Sequence, residues 1–184
     1  MSNESEHIQR ILAGDANAFR YFVREYQQYA YTLAFRIVRR PEDAEEVVQD
    51  AFLKAFKALQ HFKQRSKFTT WFYPIVTRQA LSHLRKKKLD TVDVEVVAQQ
   101  GDPSQNSAHL IETDDRKQLI ESVLDRMKVK ERLVLQLHYL EEQSIEEIVM
   151  QTGFSTSNVK VLLYRGRKSF EDLLPTDIYQ ELLP

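Results

Sequence analysis

The stretch FKQRSKFTTWFYPIVTRQALSHLRKKK (62–88) concentrates two kinds of side chain that are seldom found together. Five aromatics lie between Phe62 and Tyr73 (Phe62, Phe68, Trp71, Phe72, Tyr73) among the bases Lys63, Arg65 and Lys67, and four consecutive cations close it at 85–88. A helical core would use the rings and a solvated face the charges. The combination also suits unpaired nucleic acid: stacking on a ring is sequence-tolerant and contributes roughly 1–3 kcal/mol per base, while cations hold the backbone.

A second such stretch is SIEEIVMQTGFSTSNVKVLLYRGRKSF (144–170). Ser144 with Glu147 forms a capping box that opens a short helix. Gly153 suits the position that ends it, and Ser155 or Thr156 can cap the next. Two helices joined by a short Gly-containing turn make a helix-turn-helix, whose second helix places its N-terminal residues against base edges. Here those are Thr156, Ser157, Asn158 and Lys160, followed by Arg165, Arg167 and Lys168, suited to phosphates. A plain helical hairpin with a basic surface has the same periodicity. A third stretch is the helix expected over 41–59. Its apolar face gathers Val48, Ala51, Phe52, Ala55 and Leu59, and its opposite face Glu46, Gln49, Asp50 and Leu53. An acidic patch around an exposed leucine fits a basic protein partner, although most acidic helix faces are simply solvated.

Enzyme chemistry finds little support. The chain has no cysteine, no Gly-rich phosphate loop, no His-x-x-x-His pair and no Gly-x-Ser-x-Gly elbow, and its five histidines (7, 61, 83, 109, 138) are scattered singly. No catalytic residue, metal site or cofactor is expected.

Helices must position these groups. Apolar residues recur at helical spacing, and only four glycines and five prolines interrupt the 184 residues. Helices are expected over 5–13, from Asp15 along the stripe Phe19, Phe22, Val23, Tyr26, Ala30, Leu33 and Ile37, over 41–59, and from Thr69 or Thr70 to about Lys88 with a bend at Pro74. Residues 60–90 carry eight Lys/Arg and one acid, whereas 89–115 carry seven acids and no Lys or Arg. The latter stretch is expected to be a flexible acidic linker, with a short extended segment around 92–96. Helical stripes return at Leu119, Ile120, Val123, Leu124 and Met127, then at Leu133, Val134, Leu137 and Leu140. The fold class is all-α, with two small helical domains: a four-helix domain at 1–88 and a helix-turn-helix domain at 116–184, joined by linker 89–115. No apolar run is long enough to cross a membrane, and the first 15 residues show no signal peptide, so no membrane insertion and a cytoplasmic location are expected.

Taken together, GDANAFRYFVREYQQY, DAEEVVQDAFLKAFKAL, HFKQRSKFTTWFYPIVTRQALSHLRKKK and SIEEIVMQTGFSTSNVKVLLYRGRKSF resemble, in order and spacing, a bacterial RNA polymerase sigma factor of the extracytoplasmic-function (ECF) type. The resemblance implies an initiation factor that binds core RNA polymerase (β′ clamp and β flap) and promoter DNA, with an anti-sigma factor as a further partner. It implies polymerase contacts at Asp43, Glu46, Gln49, Asp50 and Leu53. It implies −10 recognition and melting by His61, Lys63, Arg65, Lys67, Trp71, Arg78, Gln79, Arg85 and Lys86. It implies −35 recognition by Thr156, Ser157, Asn158, Lys160, Tyr164, Arg165, Arg167 and Lys168. The chain departs from the family pattern at Pro74 (commonly Arg), at Arg78 (commonly Asn), and at Val161-Leu162 (usually Ser-Arg). The main rival reading is a helix-turn-helix regulator that binds duplex DNA as a dimer with no polymerase-docking helix, and a second is a helical adaptor that binds polymerase without touching DNA. Of the rings, Phe68 and Phe72 are expected in the core and Trp71 at the DNA.

Overall fold

The computed structural model describes residues 3–90 and 111–174, and the described residues form helices and connecting turns. In the N-terminal half, α1 (Asn3–Leu12) is followed by a 3-10 turn, Ala16–Phe19, and by α2 (Arg20–Val38), α3 (Pro41–Ala58) and α4 (Phe68–Asp90). Asp15 caps the 3-10 turn through the Asn17 amide (3.1 Å) and not the helix after it. The Arg10 guanidinium at 2.7 Å holds the Asp15 carboxyl below its ordinary range. The turn between α2 and α3 follows from Pro41. It disfavours helical backbone at Arg40, which is extended (φ −131°), and Arg39 ends α2 in the left-handed region (φ 59°).

The C-terminal half holds α5 (Ile111–Arg126), α6 (Val129–Leu135) continuing into a π-helical segment Gln136–Leu140, α7 (Ile145–Thr152) and α8 (Thr156–Leu173). Ser144 and Glu147 make both hydrogen bonds of the capping box, Gly153 is left-handed at φ 72°, and Ser155 caps α8 through the Asn158 amide. Three expectations shift. Residues 111–115 belong to α5 and not to the linker. Leu89 and Asp90 likewise extend α4. Leu140 leaves the core stripe, because the wider π turn changes the register after Leu137. The expected extended segment at 92–96 lies outside the described residues.

One continuous apolar core runs through both halves, from Ile8 and Phe22 through Phe68 and Phe72 to Leu137, Ile148 and Leu163. The halves meet along two seams. At the first, α4 packs on α7: Thr77 Oγ1 donates to the Gln151 carbonyl (3.4 Å), and Gln151 Nε2 donates to the Tyr29 hydroxyl (2.7 Å). A Cβ on Gly153 would lie 3.0 Å from Pro74 Cβ, so the proline inside α4 sits against the glycine that ends α7. The second seam is ionic. Arg39 pairs with Glu121 and Asp125 of α5, Arg36 pairs with Glu141, and the buried Arg132 donates to the Ile37 carbonyl (3.1 Å) at the end of α2. Burial, with the charge of Arg39 beside it, pulls the Arg132 guanidinium below its ordinary value.

Candidate nucleic-acid interface

Helix α3 presents the acidic face first. Its buried side (Ala44, Val47, Val48, Ala51, Phe52, Ala55) turns Glu46, Gln49 and Leu53 to solvent, and Leu53 is 57% exposed. Phe56, one turn on, is 38% exposed and enlarges the apolar spot, a residue the sequence reading passed over. Two of the expected contacts turn inward. Asp43 accepts from Lys87 Nζ at 2.7 and 3.0 Å and faces His83 Nε2 at 3.4 Å. Burial pushes the Asp43 carboxyl up, but Lys87 and His83 outweigh it and leave the group below its ordinary value. Asp50 accepts from Gln79 Nε2 at 2.7 Å. Both carboxylates therefore fasten α3 to α4.

Around the start of α4 the rings sort into layers. Phe68 and Phe72 are fully buried, as expected, and Phe62 joins them. Trp71 is half-buried at the margin of this layer, stacked on Phe62 (centroids 4.9 Å apart) and leaning on Phe68 (5.6 Å). Tyr73 sits beside Tyr29 at 4.8 Å, and burial pushes its hydroxyl pKa up to about 12. Before the helix, His61, Lys63, Arg65 and Lys67 are all exposed, and Gln64 at the centre of the turn is left-handed (φ 53°).

A groove of about 600 Å³ between α3 and α4 brings the expected residues together: Trp71, Arg78, Gln79 and Arg85 line it, with Lys54, Ala58, Ile75 and Ser82. Lys54 is the addition that the sequence reading missed. Gln79 departs from expectation. It is only 8% exposed, with its amide oxygen bonded to Lys54 and its amide nitrogen to Asp50, so it braces the groove floor. Lys86 is exposed but does not line the groove. Arg78 and Arg85 also line a second groove with Lys128, Lys130, Phe154 and Leu162. Leu162, at the position where the family pattern usually has Arg, is buried in this setting.

Helix α8 carries the third surface. Val159, Leu162, Leu163 and Gly166 are buried, and a Cβ on Gly166 would meet Leu135 Cγ at 3.0 Å, so the glycine permits the close approach of α8 to α6. Thr156, Ser157, Asn158, Lys160, Tyr164, Arg165, Arg167 and Lys168 are all exposed, with Tyr164 at 65%. Arg167 Nη1 reaches the Tyr139 hydroxyl at 3.3 Å.

An acidic helix face beside exposed Leu53, an aromatic and cationic groove, and a helix with an exposed polar and basic face thus occur on one chain. Residues 22–89 match the Sigma-70 region 2 family, and residues 117–170 match Sigma-70, region 4. The ECF RNA polymerase sigma factor SigW of Bacillus subtilis is 30% identical over 178 residues, covering 92% of this chain and 95% of SigW. The chain belongs to the ECF family of RNA polymerase sigma factors. This sigma factor is also 26% identical over 174 residues to the ECF RNA polymerase sigma-E factor of Escherichia coli, covering 90% of this chain and 91% of the relative. Its fold is shared with sigma factor RpoE from Bartonella quintana, solved with the anti-sigma factor NepR (TM-score 0.60, 20% identity, 86% of this chain and 98% of that one). It is shared as well with CnrH, solved with the cytosolic domain of CnrY (TM-score 0.57, 20% identity, 91% and 94%). The sigma factor directs RNA polymerase to promoters and is a transcription initiation factor. Among its described residues no helix is long and apolar enough to cross a membrane.

Proposed function

We propose that the three surfaces divide initiation among them. The N-terminal half, through the end of α4 at Asp90, docks on core polymerase and opens the −10 region, and the half from α5 onward reads the −35 element. Glu46, Gln49 and Leu53, extended by Phe56, form the docking face. Its geometry is an apolar spot at Leu53 and Phe56 with Glu46 and Gln49 toward the helix N-terminus on the same face, in which the apolar contact supplies affinity and the charge steers association. Trp71, Arg78, Arg85 and Lys54 hold the opened strand in their groove, and His61, Lys63, Arg65 and Lys67 guide its backbone. Helix α8 enters the major groove with Thr156, Ser157, Asn158 and Lys160 toward base edges, and Arg165, Arg167 and Lys168 toward phosphates.

The observation that carries this reading is the convergence of Trp71, Arg78 and Arg85 on one groove whose other wall is the docking helix α3. A surface that holds separated strands must be fixed relative to the polymerase, and the Asp50–Gln79–Lys54 chain ties the two walls together. The chemistry of initiation belongs to the polymerase, and this factor performs no catalysis of its own. It works in the cytoplasm beside its polymerase, and an anti-sigma factor of the kind bound to RpoE in the solved complex is its natural regulator.

Run-off transcription with purified core enzyme over a genomic library tests the reading, since specific transcripts should appear only when the factor is added. Glu46→Lys combined with Leu53→Asp should abolish core binding, measured by gel filtration, while leaving the helical circular-dichroism spectrum unchanged. Wild-type affinity for core in that double variant would remove this face from the proposal.

A further inference from the structure

We propose that Val161 reads the C5-methyl group of a thymine in the upstream promoter element, so that α8 selects one A·T pair by an apolar contact. The inference rests on α8 being the −35-reading helix. Placed at 100° per residue against the buried Val159, Leu162, Leu163 and Gly166, the row Ser157, Val161, Tyr164 and Lys168 falls on the opposite side of α8. Asn158 and Arg165 flank that row on one side, and Lys160 and Arg167 on the other. The row spans about 16 Å at ~1.5 Å per residue, and Val161 lies one turn in from Ser157, in the N-terminal part that meets base edges.

Val161 is 44% exposed on this face, among polar and cationic side chains and the ring of Tyr164, whose hydroxyl gives it a polar end. Val161 is the one fully aliphatic member of the row. A valine side chain can neither donate nor accept a hydrogen bond. Pressed against the floor of the major groove, it would leave an amino, carbonyl or ring-nitrogen group without a partner, which is unfavourable. The single apolar feature of the major-groove edge is the thymine methyl. Its neighbours Asn158 and Lys160 can satisfy the polar edges beside it, leaving the methyl to Val161. The β-branched side chain also holds essentially one rotamer in a helix, so its two methyl groups are fixed in place before DNA arrives.

The test uses holoenzyme assembled from the full chain and core polymerase. The preferred upstream element is first selected from a duplex pool randomised at that site. Each thymine of the selected element is then replaced, one at a time, by deoxyuridine, which removes the methyl and leaves every hydrogen-bonding group in place. One such replacement should weaken binding by the wild type about fourfold, the factor that one buried methyl group contributes. Val161→Ala should bind the thymine and uracil versions equally, and Val161→Thr, which keeps one methyl, should retain part of the difference. The proposal is overturned if no replacement matters to the wild type, or if the same replacement weakens Val161→Ala equally. A holoenzyme that keeps its upstream-sequence preference while ignoring every methyl defeats this assignment alone. Loss of any upstream-sequence preference in the wild type would defeat the reading of α8 itself and this assignment with it. Alanine favours helix more than valine, so an intact circular-dichroism spectrum is expected for the variant.

Discussion

The exposed surface of α8 and the aromatic, cationic surface of α4, the two faces proposed for DNA, are built on opposite plans. On α8 the packed face and the face proposed for reading are separate: Val159, Leu162 and Leu163 are buried, while Ser157, Asn158, Lys160 and Arg165 are exposed. On α4 and the turn before it, the two functions interleave. Trp71 is half-buried on Phe62 and Phe68, Gln79 is buried between Asp50 and Lys54, and exposed Arg78 lies between the buried Thr77 and Gln79. The difference follows from what each surface must do. Duplex DNA arrives with its grooves formed, so a reader need only present side chains at the correct spacing. Separated strands re-pair unless something holds the bases, and a ring can hold a base only if it is itself held from behind. The surface proposed for melting is therefore the outer layer of the core.

The largest effect expected from this contrast is on stability. Phe72 is fully buried and stacked on Phe52 with centroids 4.6 Å apart. Phe72→Ala should cost about 3–5 kcal/mol, enough to unfold much of the chain at moderate temperature. The combined Ser157→Ala, Asn158→Ala, Lys160→Ala variant should stay within about 0.5 kcal/mol of wild type. Thermal denaturation followed by circular dichroism checks both, and equal losses would erase the contrast.

Trp71 should give the intermediate effect and the more informative one. Its ring is packed on one side and open to the α3–α4 groove on the other. Trp71→Ala should lower stability by about 2 kcal/mol, roughly half the value for a fully buried ring. It should also impair opening more than closed-complex formation. On a template opened beforehand at the −10 region the unpairing cost is absent, and transcription should recover substantially. Equal loss on duplex and bubble templates would assign the ring to the core alone.

Gln79 comes next. Gln79→Met keeps the volume but removes the bonds to Asp50 and Lys54, at a cost of about 1 kcal/mol. If the residue is a brace, −10 base preference should be unchanged while core binding and opening both weaken slightly. A changed base preference, read by in vitro selection with the variant holoenzyme, would restore Gln79 as a direct contact.

The same contrast decides what the sequence could show. The helices were legible because each signal is local: Pro41 at a first turn, the Ser144–Glu147 box, Gly153 after α7, Ser155 before α8, and the apolar stripes between them. The α8 surface was legible for the same reason, since whatever is not on the stripe faces solvent. The orientation of Asp43 and Gln79 is not legible in the sequence because it is set by a neighbouring helix 29 to 44 residues away in the chain. The seams were hidden too. Arg39 meets Glu121 across 82 residues, and the fit of Pro74 to Gly153 has no periodicity to announce it. The acids at 112–115 looked like linker because composition cannot tell a solvated strand from the charged first turn of a helix.

The smallest effect on stability should come from Arg165. It is exposed on α8, so Arg165→Ala should leave the melting temperature unchanged within about 0.5 kcal/mol. Its consequence should appear only in DNA binding, and there in a form that separates positioning from reading. A phosphate contact releases counterions, so removing one should weaken all sequences alike and reduce the slope of log affinity against log salt by about 1. Asn158→Ala should do the reverse. Its side chain is exposed beside the helix start, while its amide already serves the Ser155 cap, so the variant keeps the helix intact. It should lose roughly 1–3 kcal/mol of discrimination at one base pair with the salt slope unchanged. Affinities for the selected element and for scrambled duplex, measured at several salt concentrations, provide both readouts. If Arg165→Ala changed base preference and Asn158→Ala flattened the salt slope, the orientation of α8 in the groove would be reversed. The separation of packing from reading along its length would still stand, because it depends on which residues are buried and not on which end meets the bases.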